Sequence, residues 1–504
     1  MIASSMVKNN LKSDLVIIGG GGSGLAAAVA AAEKGAKNIT VLERRNKTGG
    51  TSAYADNYFA AESPAQKRQG ITVNRDDFFK SAIGWAHLKI DGRIVRTFID
   101  KSGDTIQWLE DKGLYFYCGT FFPNSLPCLH TTEGGGTVLM NVLADECRKL
   151  GVEVLYHSRA RKILIGQDGN ITGLSAEREG EEFTIKTKNI IIATGGYGGN
   201  KELLKKYCPQ YHDKMRCDGL ANEGDGLLMA TEIGAATEGL GALMMVGPSV
   251  PLPIVFRLGN EPVRLKWLIR EPYTIWLNKK GRRYVDEAVG LNYYESSQVV
   301  VRQTDNLSYS IFDSKILQRM AESPLEQNLF RTGQRAPSAP STSGPMKIKP
   351  ISQLPDGLEA GLREQADKGR VKISGTWDGL SDWMGVDRNV LRNTLEEYND
   401  ACEHGHDLIF AKDQKYLMPI STPPYYAVKC DTDFHNTVGG IKINENMEVL
   451  DKQENPISGL YAVGVDAGGW SSDVYQPDGF AIGFAINSGR IAGENAAKRI
   501  HAYK

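Results

Sequence analysis

A glycine-rich turn between a short apolar strand and an alanine-rich helix limits the possible folds of this chain more than any other feature. Residues 19–24 have the sequence Gly-Gly-Gly-Gly-Ser-Gly, with the G-x-G-x-x-G spacing, between a strand predicted at 15–18 and a helix predicted at 25–34. Glu43 follows at the end of the next predicted strand, 39–42. Such glycines let the backbone approach a pyrophosphate at a helix N-terminus, and the carboxylate can accept from ribose hydroxyls. The pattern predicts a βαβ unit that binds a dinucleotide.

Size and charge narrow the class of protein. A chain of 504 residues with 41% hydrophobic residues is too long to fold around one small hydrophobic core, so we expect two or more domains. Lysine plus arginine (59) nearly equals aspartate plus glutamate (60) and no long basic run occurs, so we expect no nucleic-acid partner. The chain shows no apolar signal segment or apolar run of membrane-spanning length, and its seven cysteines are scattered. We expect a cytoplasmic protein with reduced thiols and no membrane span.

The pattern of the chain changes twice along its length. Strand and helix patterns with glycine turns occupy residues 1–239, including a helix predicted at 137–150. Residues 240–418 contain more aromatic and proline residues, and their Pro/Ser-rich stretch at 336–345 is typical of a surface loop. Glycine-rich α/β character returns in residues 419–504, which end in a predicted helix. The sequence predicts an α/β domain built from both ends of the chain and an inserted second domain.

Further glycine turns indicate that one long ligand meets the backbone at several places. They lie at residues 49–52 (Gly-Gly-Thr-Ser), 193–196 (Ala-Thr-Gly-Gly), 223–226 (Glu-Gly-Asp-Gly) and 464–466 (Gly-Val-Asp). With the segments 281–287 (Gly-Arg-Arg-Tyr-Val-Asp-Glu) and 424–429 (Pro-Tyr-Tyr-Ala-Val-Lys), nearly the whole chain resembles the flavoprotein family of fumarate reductase and succinate dehydrogenase. That family also contains urocanate reductase and the 3-ketosteroid dehydrogenases.

The resemblance implies a Rossmann-like FAD-binding domain interrupted by an α+β capping domain, with the substrate held between them. Because no histidine follows the Gly-Gly turn in Thr51-Ser52-Ala53, non-covalent FAD is expected. The N-terminus of the helix that begins near Gly479 is expected to face the flavin's pyrimidine edge and to stabilise the anionic reduced flavin. The residues expected to contact FAD are Gly19, Gly21, Gly22, Ser23, Gly24, Glu43, Arg44, Gly49, Gly50, Thr51, Ser52, Ala193, Thr194, Gly195, Asp225, Asp466, Gly479, Ala481 and Ile482.

The expected chemistry moves a hydride between flavin and one carbon of a carbon–carbon bond, while a protein acid or base handles the proton on the neighbouring carbon. The arginine that delivers the proton in fumarate reductases corresponds to Leu291 here, and the arginine that clamps a substrate carboxylate corresponds to Gln476. The histidine that assists this clamp has no counterpart near Met244 and Met245. The two carboxylates of a bound dicarboxylate would lose their hydration without gaining such partners. Fumarate is therefore not the expected substrate.

Five residues are candidates for this chemistry by resemblance. Tyr293 or Tyr294 corresponds to the cap tyrosine that acts as base in 3-ketosteroid dehydrogenases, each a residue or more off the pattern, and Tyr426 to a tyrosine that polarises the ketone. His435 matches the histidine of the family's His-x-Thr-Met-Gly-Gly, and Arg270 could bind a substrate carboxylate. Each has a structural alternative: packing for the tyrosines, a structural hydrogen bond for the histidine and solvation for the arginine.

The sequence thus predicts an FAD-dependent oxidoreductase that acts on a bond conjugated to the carbonyl of a small unsaturated ketone or acid. No second dinucleotide fingerprint, iron–sulfur segment or haem motif occurs, so a separate electron donor or acceptor is expected. Two alternatives stay open: an electron-transfer subunit with a degenerate substrate pocket, and a different FAD-dependent oxidation. Arg282 and Arg283 are expected to form an ion-pair turn in the cap with Asp286 and Glu287. His404 and His406 lack a third ligand nearby, so no metal site is expected.

Overall fold

The computed structural model describes residues 10–55, 57–120, 122, 125–250, 255–258, 261–323, 325–326, 357–475 and 479–502. The predicted surface loop at 336–345 and Gln476 lie outside these residues. The strands, in chain order, are β1 Asn10–Lys12, β2 Leu15–Ile18, β3 Ile39–Leu42, β4 Tyr58–Phe59, β5 Phe116–Gly119, β6 Leu129–Thr132, β7 Glu153–Leu155, β8 Ser158–Ile165, β9 Ile171–Arg178, β10 Glu181–Lys186, β11 Ile190–Ile192, β12 Thr237–Glu238, β13 Leu243–Ser249, β14 Val255–Leu258, β15 Glu261–Arg264, β16 Ile275–Leu277, β17 Ser308–Asp313, β18 Val371–Ser374, β19 Tyr425–Thr437, β20 Gly440–Ile441, β21 Glu448–Leu450 and β22 Pro456–Ala462.

The helices cluster at the sheet faces and in the inserted region. In chain order they are α1 Gly22–Glu33, α2 Pro64–Arg68, α3 Arg75–Trp85, α4 Gly92–Glu110, α5 Gly135–Lys149, α6 Lys201–Tyr207, α7 Asp225–Glu232, α8 Leu265–Leu268, α9 Tyr293–Val300, α10 Ser314–Glu322, α11 Gly357–Asp367, α12 Trp377–Met384, α13 Arg388–His404 and α14 Phe480–Ala502. Short 3₁₀ turns lie at Gly50–Tyr54, Glu287–Leu291, Thr304–Asn306, Gln414–Tyr416 and Gly464–Asp466.

A six-stranded sheet in the order β21-β22-β11-β2-β3-β7 forms the centre of the first domain. Its strands are parallel except β21, which runs antiparallel to β22. Every residue of β2, β3 and β11 is buried, as expected for a parallel sheet covered on both faces. The strands predicted at 15–18 and 39–42 are confirmed, and α1 connects them as the predicted βαβ unit requires.

Helices α1 and α14 pack closely against each other. Most of the alanine-rich α1 is buried, and Gly489 and Gly493 of α14 lie against it. A Cβ atom on Gly489 would lie 2.2 Å from the carbonyl oxygen of Ser23, and one on Gly493 would lie 2.3 Å from that of Ala27. Only glycine permits so short a distance between the two backbones.

A second sheet forms the core of the inserted region. Strands β13, β19, β17 and β16 pair in that order, all antiparallel, and β18 also pairs with β19. Buried apolar residues form two clusters. One surrounds the six-stranded sheet and includes β13 and the end of β19, and the other surrounds β16, β17, β18 and the first half of β19. The domain limits after residues 239 and 418 stay a prediction; the chain supplies β19 to the second sheet after residue 418.

Three connections meet at the carboxyl edge of the six-stranded sheet. The glycine turn follows β2, residues 193–196 follow β11, and the 3₁₀ turn Gly464–Asp466 follows β22. Because neighbouring parallel strands end at the same edge, these turns lie together. Ligands of open α/β sheets bind at this edge, which makes it the place to look for a site.

The described residues contain neither a membrane-spanning helix nor a disulfide. No helix in the described parts of the chain is long and apolar enough to cross a membrane. All seven cysteines are free, and burial raises the pKa of Cys118 and Cys147 to about 12. Since the thiolate is the reactive form, the raised pKa values make these two thiols unreactive.

Candidate active site

A cavity of about 640 Å³ lies at the carboxyl edge of the six-stranded sheet. It runs from the glycine turn, here called the dinucleotide end, to a group of side chains called the tyrosine end: Tyr293, Tyr294, Tyr475, His435 and Lys266. Such a volume suits a large organic ligand. Most residues predicted to contact FAD line it, namely Gly19, Gly21, Gly22, Ser23, Glu43, Arg44, Gly50, Thr51, Ser52, Ala193, Thr194, Gly195, Asp225, Gly479, Ala481 and Ile482.

The glycine turn forms a cradle in which the backbone itself is exposed to the cavity. A Cβ atom on Gly21 would have no neighbouring protein atom nearer than 3.9 Å, so this position is open. A Cβ atom on Gly22 would lie 2.5 Å from Ser52 Oγ, and one on Gly19 would lie 2.2 Å from the carbonyl oxygen of Ala193. The N–H groups in the first turn of α1 lack partners within the helix and carry partial positive charge. These residues fit a dinucleotide pyrophosphate.

Charged residues of the dinucleotide end are already held by the protein. Glu43 Oε2 accepts from the Gly20 N–H at 3.0 Å and Oε1 from the Arg45 N–H at 2.8 Å. Each carboxylate oxygen keeps a second lone pair, so the ribose contact of Glu43 stays a prediction. Arg159 Nε donates to Asp225 Oδ2 at 3.0 Å, so the charge of Asp225 is balanced where it borders the cavity.

The tyrosine end is assembled from α9, β19 and the segment before α14. Asn292 caps α9 by accepting from the backbone N–H of Tyr294 at 3.3 Å, so Tyr293 and Tyr294 form the first turn of this helix. The Tyr294 ring lies 4.6 Å from the Tyr475 ring and 6.0 Å from the His435 ring. At these separations the rings contact one another, so they form one aromatic wall at this end of the cavity.

His435 is a neutral group in this setting. Burial, together with the positive charges of Lys266 and Arg270, lowers the pKa of His435 to about 3. Its Nδ1 lies 3.6 Å from Asp218 Oδ2, and its side chain, 28% exposed, lines the cavity. His435 therefore acts near neutral pH as an uncharged hydrogen-bonding group and not as a proton-loaded acid.

The comparison with known families identifies the ligand of the cradle. The FAD binding domain family matches residues 14–480. The chain belongs to this family. It is 31% identical over 499 residues to the vinyl phenol reductase of Lactiplantibacillus plantarum, which covers 97% of both chains. It is 27% identical over 492 residues to the NADH:fumarate oxidoreductase of Klebsiella pneumoniae, covering 96% of this chain and 48% of that relative.

A solved structure supports the same fold. The 3-ketosteroid Δ4-(5α)-dehydrogenase of Rhodococcus jostii, in complex with 4-androstene-3,17-dione, matches with a TM-score of 0.74 and 22% identity, covering 98% of this chain and 99% of that one. The predicted fold class, an α/β FAD-binding domain with an inserted cap, is thereby confirmed. The protein is an FAD-dependent oxidoreductase of the FAD binding domain family.

Two glycines of this flavoprotein that were predicted to touch FAD lie outside the lining of the cavity, so their contacts stay a prediction. A Cβ atom on Gly24 would lie 1.9 Å from the carbonyl oxygen of Gly19. Gly49 has a φ of 115° where the chain enters the 3₁₀ turn Gly50–Tyr54. Both glycines therefore permit a backbone arrangement that a larger residue would strain.

Asp466 is buried outside the lining of the cavity. It accepts from Thr194 Oγ1 at 2.9 Å, from Gly195 N–H at 2.9 Å and from Gly196 N–H at 3.0 Å. Burial raises the pKa of Asp466, while these hydrogen bonds oppose the rise. Asp466 therefore ties the end of β22 to the turn after β11, and its own contact with FAD stays a prediction.

The structure does not bring Tyr426 or Arg270 into the cavity lining. Tyr426 is paired with Phe312 across β19 and β17, and the two rings stack at 5.2 Å inside the core of the cap, which corrects its predicted contact with a substrate ketone. Arg270 is buried behind Tyr293, with its guanidinium carbon 4.8 Å from that ring and its Nε donating to the Pro248 carbonyl at 2.8 Å. Direct binding of a substrate carboxylate by Arg270 does not fit this position.

Of the four residues expected in the ion-pair turn of the cap, Arg283 and Glu287 form a pair, and they do so within a larger buried cluster. Arg283 Nη2 lies 2.9 Å from Glu287 Oε2 and 3.0 Å from Asp407 Oδ2. Lys412 Nζ donates to Glu287 Oε2 at 2.9 Å. Leu291, at the position of the proton-delivering arginine, is buried in the apolar core of the cap. Sequence reasoning missed Lys412 and Asp407, which lie more than 100 residues from their partners.

Three cavity residues were not named as catalytic or cofactor-binding candidates from the sequence, although Tyr475 was among the aromatic residues expected in the substrate pocket. Tyr475 Oη accepts from the Ala481 N–H at 2.7 Å, at the N-terminus of α14. Its position four residues before Gly479 was a usable signal, since that glycine marks the start of a predicted helix. Lys266 and Asp218 line the cavity without any local motif, and only the folded chain brings them together.

Proposed function

We propose that this flavoprotein reduces a carbon–carbon double bond conjugated to a carbonyl group or an aromatic ring. The observation that carries the proposal is one cavity that joins the glycine cradle to the tyrosine end. The two relatives are named for a vinyl phenol and for fumarate, which both contain a conjugated double bond. Bound FAD, when reduced, supplies the hydride. The side chains of the tyrosine end hold the substrate and supply the proton.

Tyr475 is the best placed proton donor. Its oxygen accepts from the Ala481 N–H, and the partial positive charge at the N-terminus of α14 stabilises negative charge on that oxygen. This stabilisation favours the loss of the Tyr475 proton to the substrate. One carbon of the double bond gains a hydride and its neighbour gains this proton, so the reduction balances. Tyr294, whose ring contacts that of Tyr475, offers a second hydroxyl nearby.

The lining of the tyrosine end argues against a dicarboxylate substrate. Leu291 replaces the proton-delivering arginine of fumarate reductases and lies in the cap core. Met244 borders the cavity where the family's clamp histidine was sought. An aromatic and amphipathic wall instead suits a planar substrate with one polar group, since a second carboxylate would lose its hydration without a matching partner.

We further propose that FAD is held without a covalent bond and that electrons enter from a separate protein, a quinone or a small carrier. The segment 51–53 offers no histidine for flavin attachment. The sequence also contains no second dinucleotide fingerprint. The Klebsiella relative is about twice as long as this chain, so about half of that relative has no counterpart in the matched region.

Anaerobic re-oxidation of the reduced holoenzyme tests the proposed function. The enzyme is reduced with dithionite and mixed with cinnamate, 4-vinylphenol, a cyclic enone or fumarate while the flavin absorbance is followed. We expect at least one of the aromatic or enone compounds to restore the oxidised spectrum much faster than fumarate does. The proposal fails if all four leave the flavin reduced. Reduction of the oxidised enzyme by a saturated ketosteroid would indicate the opposite direction of reaction, and its reduction by a hydroxy acid or an amine would indicate a different oxidation.

A further inference from the structure

His435 and Asp218 face each other at the tyrosine end of the cavity. His435 Nδ1 lies 3.6 Å from Asp218 Oδ2, and both side chains line the cavity. The two nitrogens of an imidazole lie on opposite sides of the ring, so Nε2 of His435 is turned away from this carboxylate. Within the part of the chain that the structure describes, no hydrogen bond to Nε2 is found.

The position of Asp218 beside His435 is fixed by the backbone. The Asp218 N–H donates to the Phe434 carbonyl oxygen at 2.8 Å, and the Phe434 N–H donates to the Arg216 carbonyl oxygen at 3.0 Å. A Cβ atom on Gly219 would lie 2.4 Å from the carbonyl oxygen of His435. Residues 216–219 therefore run directly alongside β19, which holds the carboxylate next to the imidazole.

The carboxylate determines which ring nitrogen carries the proton. A neutral imidazole has one N–H, on either Nδ1 or Nε2, and its other nitrogen is an acceptor. A negative charge attracts an N–H and repels a lone pair, so an ionised Asp218 favours the proton on Nδ1. Burial and the charge of Asp433 raise the pKa of Asp218. Three nearby cations oppose this rise and favour the carboxylate form: Lys266, Arg216 and Arg270.

We propose that Asp218 is a positioning residue that keeps the proton of His435 on Nδ1, so that Nε2 accepts a hydrogen bond from a hydroxyl group of the substrate. The inference rests on the proposed function, whose substrate class it narrows to conjugated alkenes that carry such a donor, for example a phenol. A substrate with a methylated hydroxyl group would cover Nε2 without donating to it, which weakens binding. His435 contacts the substrate, and Asp218 acts through His435.

The tautomer of His435 can be observed directly in the holoenzyme by nitrogen NMR of labelled histidine. The chemical shift of a ring nitrogen distinguishes its protonated from its unprotonated form, and the signals of His435 are those missing from His435→Gln. We expect Nδ1 to be protonated and Nε2 unprotonated in the wild type. Asp218→Asn should redistribute the proton between the two nitrogens, because an amide can donate to Nδ1 as well as accept from it. A protonated Nε2 in the wild type overturns the inference.

Ligand binding to the oxidised holoenzyme tests the consequence without turnover. The two ligands 4-vinylphenol and 4-methoxystyrene differ by one methyl group on the oxygen, and both can be titrated through the flavin absorbance. We expect the wild type to bind the phenol about three- to tenfold more tightly, as one neutral hydrogen bond predicts. Asp218→Asn should lower this ratio towards one. Asp213→Asn, at an exposed ion pair with Lys205 in the same connection between α6 and α7, should leave the ratio unchanged.

The outcomes separate this inference from the proposed function. Equal affinity of the wild type for the phenol and its methyl ether, or a ratio that Asp218→Asn does not change, overturns the inference. A preference for the phenol in an enzyme that no alkene re-oxidises would contradict the proposed function and leave the binding role of the Asp218–His435 pair standing. Re-oxidation of the reduced flavin without such a preference would do the reverse.

Discussion

At the scale of single residues, neighbouring glycines of the turn after β2 have different functions. Gly21 borders the cavity and has free space where a side chain would be, whereas Gly24 is pressed against the backbone of Gly19. The first position must stay empty for the ligand, and the second must stay empty for the turn itself. A sequence pattern that requires all of these glycines does not distinguish the two requirements.

Replacing each of the two glycines by alanine should separate these functions. Gly21→Ala should leave the thermal stability of the FAD-free protein unchanged but weaken FAD binding by about 1–3 kcal/mol, roughly ten- to a hundredfold, because the methyl group occupies the ligand's space. Gly24→Ala should lower the Tm of the FAD-free protein as well, because its Cβ would lie 1.9 Å from a backbone oxygen. Thermal melts and FAD titrations measure both effects. Equal Tm losses in the two variants would contradict this distinction.

At the scale of secondary-structure elements, the sequence predicts those elements that depend on interactions between residues close together in the chain. The strands β2 and β3, the turn between them and the terminal helix α14 could be predicted because apolar periodicity and glycine spacing act within about 20 residues. The assignment of β19 to the cap sheet could not, because its partners β13, β17 and β18 lie about 50 to 190 residues earlier in the chain. Tyr426 was therefore expected at the substrate and is found packed against Phe312.

The contact between α1 and α14 yields a prediction at this scale. Gly489→Ala should destabilise the protein by about 1–3 kcal/mol, because the new Cβ would lie 2.2 Å from the Ser23 carbonyl oxygen and force the helices apart. FAD binding should weaken too, since both helices begin at the cavity. Gly84→Ala in α3 is the matched control: it meets no atom within 4 Å and should stabilise that helix by up to about 1 kcal/mol. A Tm for Gly489→Ala no lower than that for Gly84→Ala would refute the close-packing argument.

At the scale of the whole molecule, the active site lies against the first of the two apolar clusters. Both ends of the cavity adjoin that cluster, and α9 contributes Tyr293 and Tyr294 to it from the inserted region. Sequence composition indicated such an insertion, but the cavity between the parts depends on distant contacts that no local pattern encodes. Because the cap has its own core, the stability of the two parts can differ.

The buried ion cluster of the cap tests this independence. Burial opposes the ionisation of Glu287, but the charges of Lys412 and Arg283 outweigh it and lower the pKa of Glu287. Lys412→Met removes one of these cations from a site where both side chains of the pair are fully buried, which should cost about 3–5 kcal/mol. Lys415→Met, at an exposed ion pair three residues later, should cost no more than about 1 kcal/mol.

Hydrogen exchange followed by mass spectrometry locates the loss within the molecule. In the holoenzyme with Lys412→Met, peptides from β16, β17 and α13 should exchange faster, while those from β2, β3 and β11 should keep their protection, because FAD and the first apolar cluster are untouched. The flavin should stay bound, and substrate affinity should fall as α9 loses its support from the turn Glu287–Leu291. Uniform loss of protection across both sheets would mean that the cap and the FAD-binding domain unfold as one cooperative unit, against the independence inferred from their separate cores.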